Sequence, residues 1–98
     1  MKTLVLFALS AVAYAADPAA GKALFEKKCG ICHATESSER RIGPALKGVK
    51  DGSLPSHRDA THDAILQKIE NGGGGMPVFR DLLKQEQKED LVAYVLTL

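Results

Sequence analysis

The chain has 98 residues, of which 45% are hydrophobic, and its 13 Lys and Arg residues are nearly balanced by 12 Asp and Glu residues. This length accommodates one small domain and excludes a multidomain enzyme. The charge balance argues against a nucleic-acid binder, which needs a basic face, and against a highly charged disordered chain. Only 5% of the residues are aromatic, so we expect a disulfide, a metal or a cofactor to complete the small core.

Residues 1–15 have the pattern of a secretory signal peptide. Lys2 gives a positive start, a short apolar run follows, and Ala13-Tyr14-Ala15 is a small-x-small cleavage site. An uncleaved membrane anchor is the alternative, but this apolar stretch is shorter than the roughly 20 residues that a spanning helix needs. We therefore expect cleavage after Ala15, export to the periplasm, and a mature domain of residues 16–98 without a membrane span.

Two helices are predicted near the ends of the mature domain. The first covers residues 18–28, where apolar side chains recur three and four positions apart behind a capping Asp17 and a helix-starting Pro18. The last covers residues 85–97 and has a 3.6-residue apolar period. Its apolar face would consist of Leu91, Tyr94, Val95 and Leu98, and its solvent face of Glu86, Lys88, Glu89 and Asp90.

The middle of the chain is predicted to be mostly loop with one further helix. Residues 35–57 are polar and interrupted by Gly and Pro, with at most a short helix near Leu46. A helix capped by Asp59 or Thr61 would follow and end at Gly72, the first of four consecutive glycines. Such a run forms a loop or a close backbone approach rather than regular structure. Since no segment alternates with period two, we expect an all-α fold.

Both cysteines lie in one segment, Cys29-Gly30-Ile31-Cys32-His33, which matches the attachment signature for c-type haem. Two thiols at this spacing can reach two vinyl groups on one edge of the porphyrin and form thioethers. The adjacent imidazole is then placed to ligate the iron. The segment therefore predicts one covalently attached haem c, held by Cys29 and Cys32, with His33 as an axial ligand.

Three other interpretations of the cysteine segment are a disulfide, a redox pair and a zinc site. A disulfide across so short a loop would stabilise little. A thioredoxin-type redox pair needs a preceding strand, and none is visible in the sequence. A zinc site needs four ligands, so His57 or His62 would have to join Cys29, Cys32 and His33.

The candidates for the second axial ligand are Met76, His57 and His62, because Met1 leaves with the signal peptide. Met76 lies between the glycine run and Pro77, where small residues let the backbone pass close to a flat cofactor. A lone Met more commonly fills a core, and the two histidines lie in a polar stretch typical of solvated residues. Met76 is the predicted ligand, and bis-His ligation and an open five-coordinate site are the alternatives.

Four motifs in this order resemble the short bacterial class I cytochromes c. They are the cysteine segment, Ile42-Gly43-Pro44-Ala45-Leu46-Lys47-Gly48-Val49, Gly75-Met76-Pro77-Val78-Phe79 and Leu91-Val92-Ala93-Tyr94. The resemblance covers essentially all of residues 18–98. It implies a small cytochrome c fold, in which about three main helices and their loops wrap around one covalently attached haem and the first and last helices cross.

The resemblance also implies roles for particular residues. Gly21 and Phe25 would contact Leu91 and Tyr94 where the two helices cross. The Pro44 carbonyl would accept a hydrogen bond from His33. The implied pocket-lining residues are Ile31, Leu46, Leu66, Ile69, Val78, Phe79 and Val95.

This sequence departs from the family pattern at the haem propionates. Many relatives use a Trp or a second Tyr there, whereas the mature chain has no Trp and only Tyr94. Arg40, Arg41, His57 and Arg58 are open alternatives, and residues 50–58 have no motif that assigns them a role.

The function implied by the resemblance is one-electron transfer between redox proteins by an exported monohaem cytochrome. An iron with both axial positions filled has no place for a substrate, so we do not expect an enzyme. We expect a monomer whose partners are redox proteins and not nucleic acid. Two alternatives are a fixed cytochrome subunit of a larger oxidoreductase and a haem peroxidase-like or gas-binding protein.

Overall fold

The computed structural model describes residues 14–98, and these form an all-α domain. Its elements are α1 (Pro18–Lys28), a single 3₁₀ turn (Val49–Asp51), α2 (His62–Asn71) and α3 (Gln85–Val95). Within this described part, β-structure is limited to the isolated bridges Ser53–Asp59 and Gly73–Met76. The predicted fold class is thereby confirmed, while most of the predicted signal peptide lies outside the described residues.

The first helix has the predicted bounds because both of its ends have local signals. The Asp17 carboxylate accepts a hydrogen bond from the Ala19 N–H at 2.9 Å, and Pro18 occupies the first helical position. At the other end the Cys29 N–H donates to the Phe25 carbonyl at 2.7 Å. The helix therefore stops where the cysteine segment begins.

The bounds of the other two helices follow from their caps. Of the two candidate caps for α2, Thr61 is the one used, since its hydroxyl accepts a hydrogen bond from the Ala64 N–H at 3.2 Å. The last helix begins after Lys84, whose N–H donates to the Gln87 side chain at 2.9 Å. It ends at Val95, two residues before the predicted end, because the last three residues form a turn.

The core forms where α1 crosses α3. A Cβ atom on Gly21 would collide with the Asp90 carbonyl oxygen, so only glycine lets the two backbones approach this closely. Phe25 meets Tyr94 edge-on, with ring centroids 5.3 Å apart. The buried cluster consists of Phe25, Val49, Ile65, Ile69, Leu91, Val92 and Val95.

The predicted solvent face of α3 is wrong at two positions. Lys88 is only 5% exposed and Asp90 only 8% exposed. Asp90 faces the start of α1, where its carboxylate accepts a hydrogen bond from the Asp17 N–H at 2.8 Å. Lys88 faces α2, where its ammonium lies 3.1 Å from a Glu70 carboxylate oxygen. Polar partners in neighbouring helices therefore replace the water that helical periodicity assigned to these positions.

Candidate functional site

The cysteine segment folds as a tight turn at the end of α1. The N–H groups of Cys32 and His33 both donate to the Cys29 carbonyl at 3.0 Å. The two thiols are half-buried and are not bonded to each other. Burial, together with the neighbouring Cys32 thiol, raises the pKa of Cys29 to about 11. Cys29 is therefore a neutral thiol near pH 7.

The imidazole of His33 is held in one orientation by its neighbours. Its Nδ1 lies 2.6 Å from the Pro44 carbonyl oxygen. A carbonyl only accepts, so Nδ1 carries the proton and donates, which leaves the lone pair of Nε2 available for a metal. A Cβ atom on Gly43 would lie 2.7 Å from His33 Cε1, so the absence of a side chain there gives the ring its space.

Met76 lies on a turn that requires the four preceding glycines. Gly73 and Met76 exchange backbone hydrogen bonds of 3.0 and 3.1 Å. The φ angles of Gly72 to Gly75 are 59°, 109°, 62° and 95°, all in the region that favours glycine. At Gly72 a Cβ atom would also lie 2.5 Å from the Pro77 carbonyl oxygen. The glycine run thus reverses the chain sharply and presents Met76 at its end.

These two parts of the chain line one cavity of about 660 Å³. That volume lies within the roughly 300–1,000 Å³ of typical cofactor and ligand pockets. Its wall includes the predicted haem-attachment, ligand and supporting residues Cys29, Cys32, His33, Pro44, Leu46, Met76 and Phe79. Two thiols, one oriented imidazole and one thioether in a single, largely apolar cavity are the donor set of haem c. The residues present therefore fit this cofactor.

Three residues implied by the family resemblance do not line the cavity. Ile31 is 78% exposed and Val78 is 56% exposed, so both side chains face solvent. Ile31 lies in the turn between the two cysteines, where the backbone directs it outward. Leu66 is partly buried against the main core instead. In contrast, Ile69 and Val95 do line the cavity.

The segment without a motif contributes to the cavity wall as well. Leu54, Pro55, Ser56 and Arg58 all line it. A turn brings them there, because the Leu54 N–H donates to the Arg58 carbonyl at 2.8 Å. The only sequence signal for this role is an apolar Leu-Pro pair within an otherwise polar loop.

The four candidates for pairing with the haem propionates differ in their position relative to the cavity. Arg40 and Arg58 line the cavity. Arg41 is already engaged, because its guanidinium donates to the Gly30 carbonyl at 2.7 Å. His57 lines a separate surface pocket and is not part of the main cavity wall. Arg40 and Arg58 are therefore the two placed to face a bound carboxylate.

His62 also lies away from the cavity. Its Nδ1 is 2.8 Å from an Asp63 carboxylate oxygen and its Nε2 is 2.5 Å from one of Glu89. The hydrogen bonds to Asp63 and Glu89 raise the pKa of His62. Neither His57 nor His62 is placed to compete with Met76 as a ligand within this cavity.

Comparisons with known proteins give a consistent result. The family model described as cytochrome c oxidase, cbb3-type, subunit III matches residues 16–95. Cytochrome c6 of Nostoc sp. is 38% identical over 93 residues, covering 95% of this chain and 81% of that protein. Cytochrome c6 of Synechocystis sp. is 37% identical over 91 residues, covering 93% and 73%. The crystal structure of cytochrome c6 from the diatom Phaeodactylum tricornutum aligns with a TM-score of 0.67 at 26% identity, covering 83% of this chain and 92% of that chain.

Proposed function

Since the chain belongs to the cytochrome c family and is a monohaem electron carrier between redox proteins, we propose that Cys29 and Cys32 hold its haem c and that His33 and Met76 are the axial ligands. One observation supports this assignment above the others. A single cavity contains both thiols, the thioether and an imidazole whose proton is fixed on Nδ1 by Pro44. Bound haem iron supplies a one-electron couple between its ferrous and ferric states.

The residues of this chain perform the positioning. The turn at the end of α1 places the two thiols and His33 in register with each other. The Pro44 carbonyl holds the imidazole in one tautomer and orientation. Leu46 and Phe79 are partly buried and give the cavity wall apolar surface. Ligands held in place by the protein in this way would suit electron transfer by a bound haem.

A thioether from Met76 would set the reduction potential on the high side. Thioether ligation raises the potential compared with two imidazoles, and an apolar surrounding acts in the same direction. With both axial positions filled by protein side chains, a substrate has no coordination site. We therefore propose a carrier and not an enzyme, acting as a monomer on protein partners.

The test is a visible and near-infrared spectrum of the purified protein in both oxidation states. Acidic organic extraction should leave the colour on the polypeptide, because thioethers survive it. The oxidised protein should show the sulfur-to-iron charge-transfer band that methionine ligation produces. Colour in the organic phase would contradict attachment at Cys29 and Cys32, and absence of the band would remove Met76 from the ligand set.

A second candidate is a fixed subunit of a larger oxidoreductase. The observation that favours it is the match to a family described as a subunit of cbb3-type cytochrome c oxidase. The same cavity serves a docked or a diffusing carrier, so size separates the two. Gel filtration of the native exported fraction should place a free carrier near the mass of a single domain, whereas a subunit would elute with its complex.

Export with cleavage after Ala15 is the proposed route to the periplasm. No helix in the described residues 14–98 has the length and apolar composition to cross a membrane. In the uncleaved chain the Tyr14 hydroxyl donates to the Asp90 carboxylate at 2.7 Å, and this bond would leave with the leader. The Asp17 N–H, which lies beyond the cleavage site, would keep its bond to the same carboxylate. Intact-mass measurement of the exported protein should give a chain starting at Ala16.

A further inference from the structure

Lys88 is a charged side chain inside the protein that is not among the predicted haem-binding residues. It is 5% exposed, and its Nζ donates to a Glu70 carboxylate oxygen and to the Arg80 carbonyl, both at 3.1 Å. Removing an ammonium group from water is costly unless protein acceptors replace the lost hydrogen bonds. These two acceptors therefore decide where the ammonium lies, and the ammonium in turn holds them together.

The ammonium of Lys88 thus joins α3 to the end of α2 and to the segment that follows Met76. This returning segment has two further attachments to α2. The Phe79 N–H donates to the Ile69 carbonyl at 3.1 Å. The Arg80 guanidinium donates to the Asn71 side chain at 2.5 Å, but both of these groups are exposed. Of the two side-chain attachments, the buried ammonium is thus the less open to competition from water.

The turn before Met76 has little stiffness of its own. Four glycines in succession have more backbone freedom than any other residues, so the turn depends on how its two ends are held. Its entry is fixed where the Gly72 N–H donates to the Lys68 carbonyl at 2.8 Å and closes α2. Gly73 and Met76 close the turn on itself with two backbone hydrogen bonds, but the exit is attached to the helices further along, at Phe79 and Arg80.

We propose that Lys88 is a positioning residue for Met76. By joining Glu70 on α2 to the Arg80 carbonyl, its ammonium fixes the exit of the glycine turn and keeps the Met76 thioether at the cavity wall. This inference rests on the proposed function, because it matters for electron transfer only if Met76 ligates the iron. One consequence does not depend on the haem: the turn should loosen when the ammonium is removed.

The alternative is that the buried pair stabilises the whole domain without acting on Met76 in particular. Asp90 offers a matched control for that alternative. It is also a buried charge on α3, two residues from Lys88, but its carboxylate is bonded to the start of α1. Asp90→Asn should therefore lower overall stability without affecting the turn.

The experiment compares Lys88→Met, Lys88→Arg and Asp90→Asn in the mature haem-containing protein. We expect Lys88→Met to weaken the sulfur-to-iron band and to accelerate displacement of the thioether by added imidazole by roughly tenfold, because local opening of the turn costs less free energy. Hydrogen exchange of the Met76 and Phe79 amides should accelerate by a similar factor. Lys88→Arg should behave almost like the wild type in both measurements, and Asp90→Asn should change neither.

Equal effects of Lys88→Met and Asp90→Asn on imidazole exchange would overturn the proposal, as would a change of less than about twofold in Lys88→Met. A wild-type protein without the band would overturn methionine ligation instead, and amide exchange would then still decide whether Lys88 holds the turn. If Lys88→Met does not accumulate, Glu70→Gln replaces it. This variant removes one charge of the pair and keeps the hydrogen bond from the Lys88 ammonium to the Arg80 carbonyl. It should act in the same direction with a smaller effect, and no acceleration at Met76 would contradict the inference.

Discussion

The two parts of the chain that provide the proposed iron ligands are built in opposite ways. His33 follows α1 directly, on a turn closed by hydrogen bonds to Cys29, and its ring is fixed by Pro44 only 11 residues further along. Met76 lies on a turn of glycines whose exit is held by α3. The His33 side is therefore held by contacts within its own loop, whereas the Met76 side also depends on contacts with two helices, α2 and α3.

This difference predicts which side of the cavity opens first. A turn held within its own loop loses little when the rest of the domain loosens, but a glycine turn held by contacts with other helices opens when those contacts break. Moderate heat or denaturant should therefore release Met76 before His33.

Removing both thioethers should have the largest effect, because it removes the haem around which both sides are built. Cys29→Ala combined with Cys32→Ala should leave a largely unfolded chain, since a domain this small with three aromatic residues after the signal peptide buries little apolar area without its cofactor. Circular dichroism and thermal unfolding measure this loss. A cooperative transition close to that of the holo-protein would contradict the prediction.

Met76→Ala should affect only the side of the cavity that depends on contacts with α2 and α3. We expect a five-coordinate haem that stays attached, and a reduction potential lower by on the order of 0.2 V, a fraction of the ~0.8 V range that axial ligands span. Carbon monoxide should then bind the reduced protein readily, and weak peroxidase activity should appear. Potentiometry and carbon monoxide difference spectra of wild type and variant measure both effects, and an unchanged potential would show that Met76 is not a ligand.

Two glycines at the start and middle of the turn allow a finer test. Gly72 and Gly74 have similar φ angles of 59° and 62°, but only at Gly72 would a Cβ atom collide with backbone. Gly74→Ala should cost about 1–2 kcal/mol for the left-handed conformation alone. Gly72→Ala should cost about 1–3 kcal/mol more and weaken the sulfur-to-iron band, because Gly72 combines its φ with a ψ of −139°, which is open essentially to glycine, and because its Cβ atom would collide with backbone. Denaturant unfolding and the near-infrared spectrum distinguish the two variants, and equal effects would show that the turn does not depend on the special backbone of Gly72.

Much of the fold could be predicted from the sequence because its signals are short-range. The bounds of α1 are confirmed, since Asp17 and Pro18 start the helix regardless of what packs on it. The predicted solvent exposure of Lys88 and Asp90 is wrong because helical periodicity records apolar residues and does not show charges that are buried with partners on other helices.

The residues of the candidate site differ in the same way in how far the sequence predicts them. The cysteine segment and Met76 could be singled out as candidates because residue type and spacing mark each of them, and both line one cavity. Leu54 and Pro55 could not, since their place in the cavity wall results from a turn that brings a polar loop back towards the cavity. The choice among the basic residues likewise needed the contact between Arg41 and the Gly30 carbonyl.

His62 should give the smallest effect, and it shows whether any contact between α2 and α3 can disturb Met76. It joins the start of α2 to Glu89 on α3, whereas Lys88 acts at the end of α2 that leads into the glycine turn. His62→Gln should therefore leave the spectrum unchanged.

The substitution should alter only how stability depends on pH. Hydrogen bonds to Asp63 and Glu89 raise the pKa of His62 in the folded state, so its contribution is complete below the unfolded value of about 6.5 and is lost as the pH rises through the folded pKa. Because 48% of its side chain is exposed, the contribution should stay below about 1 kcal/mol. The difference in unfolding free energy between wild type and His62→Gln should be larger at pH 5 than at pH 9. The control is His57→Asn, since asparagine tolerates the positive φ of 67° at that position. A spectrum altered by His62→Gln would mean that Met76 depends on the whole contact between α2 and α3 and not on the buried ammonium of Lys88 in particular.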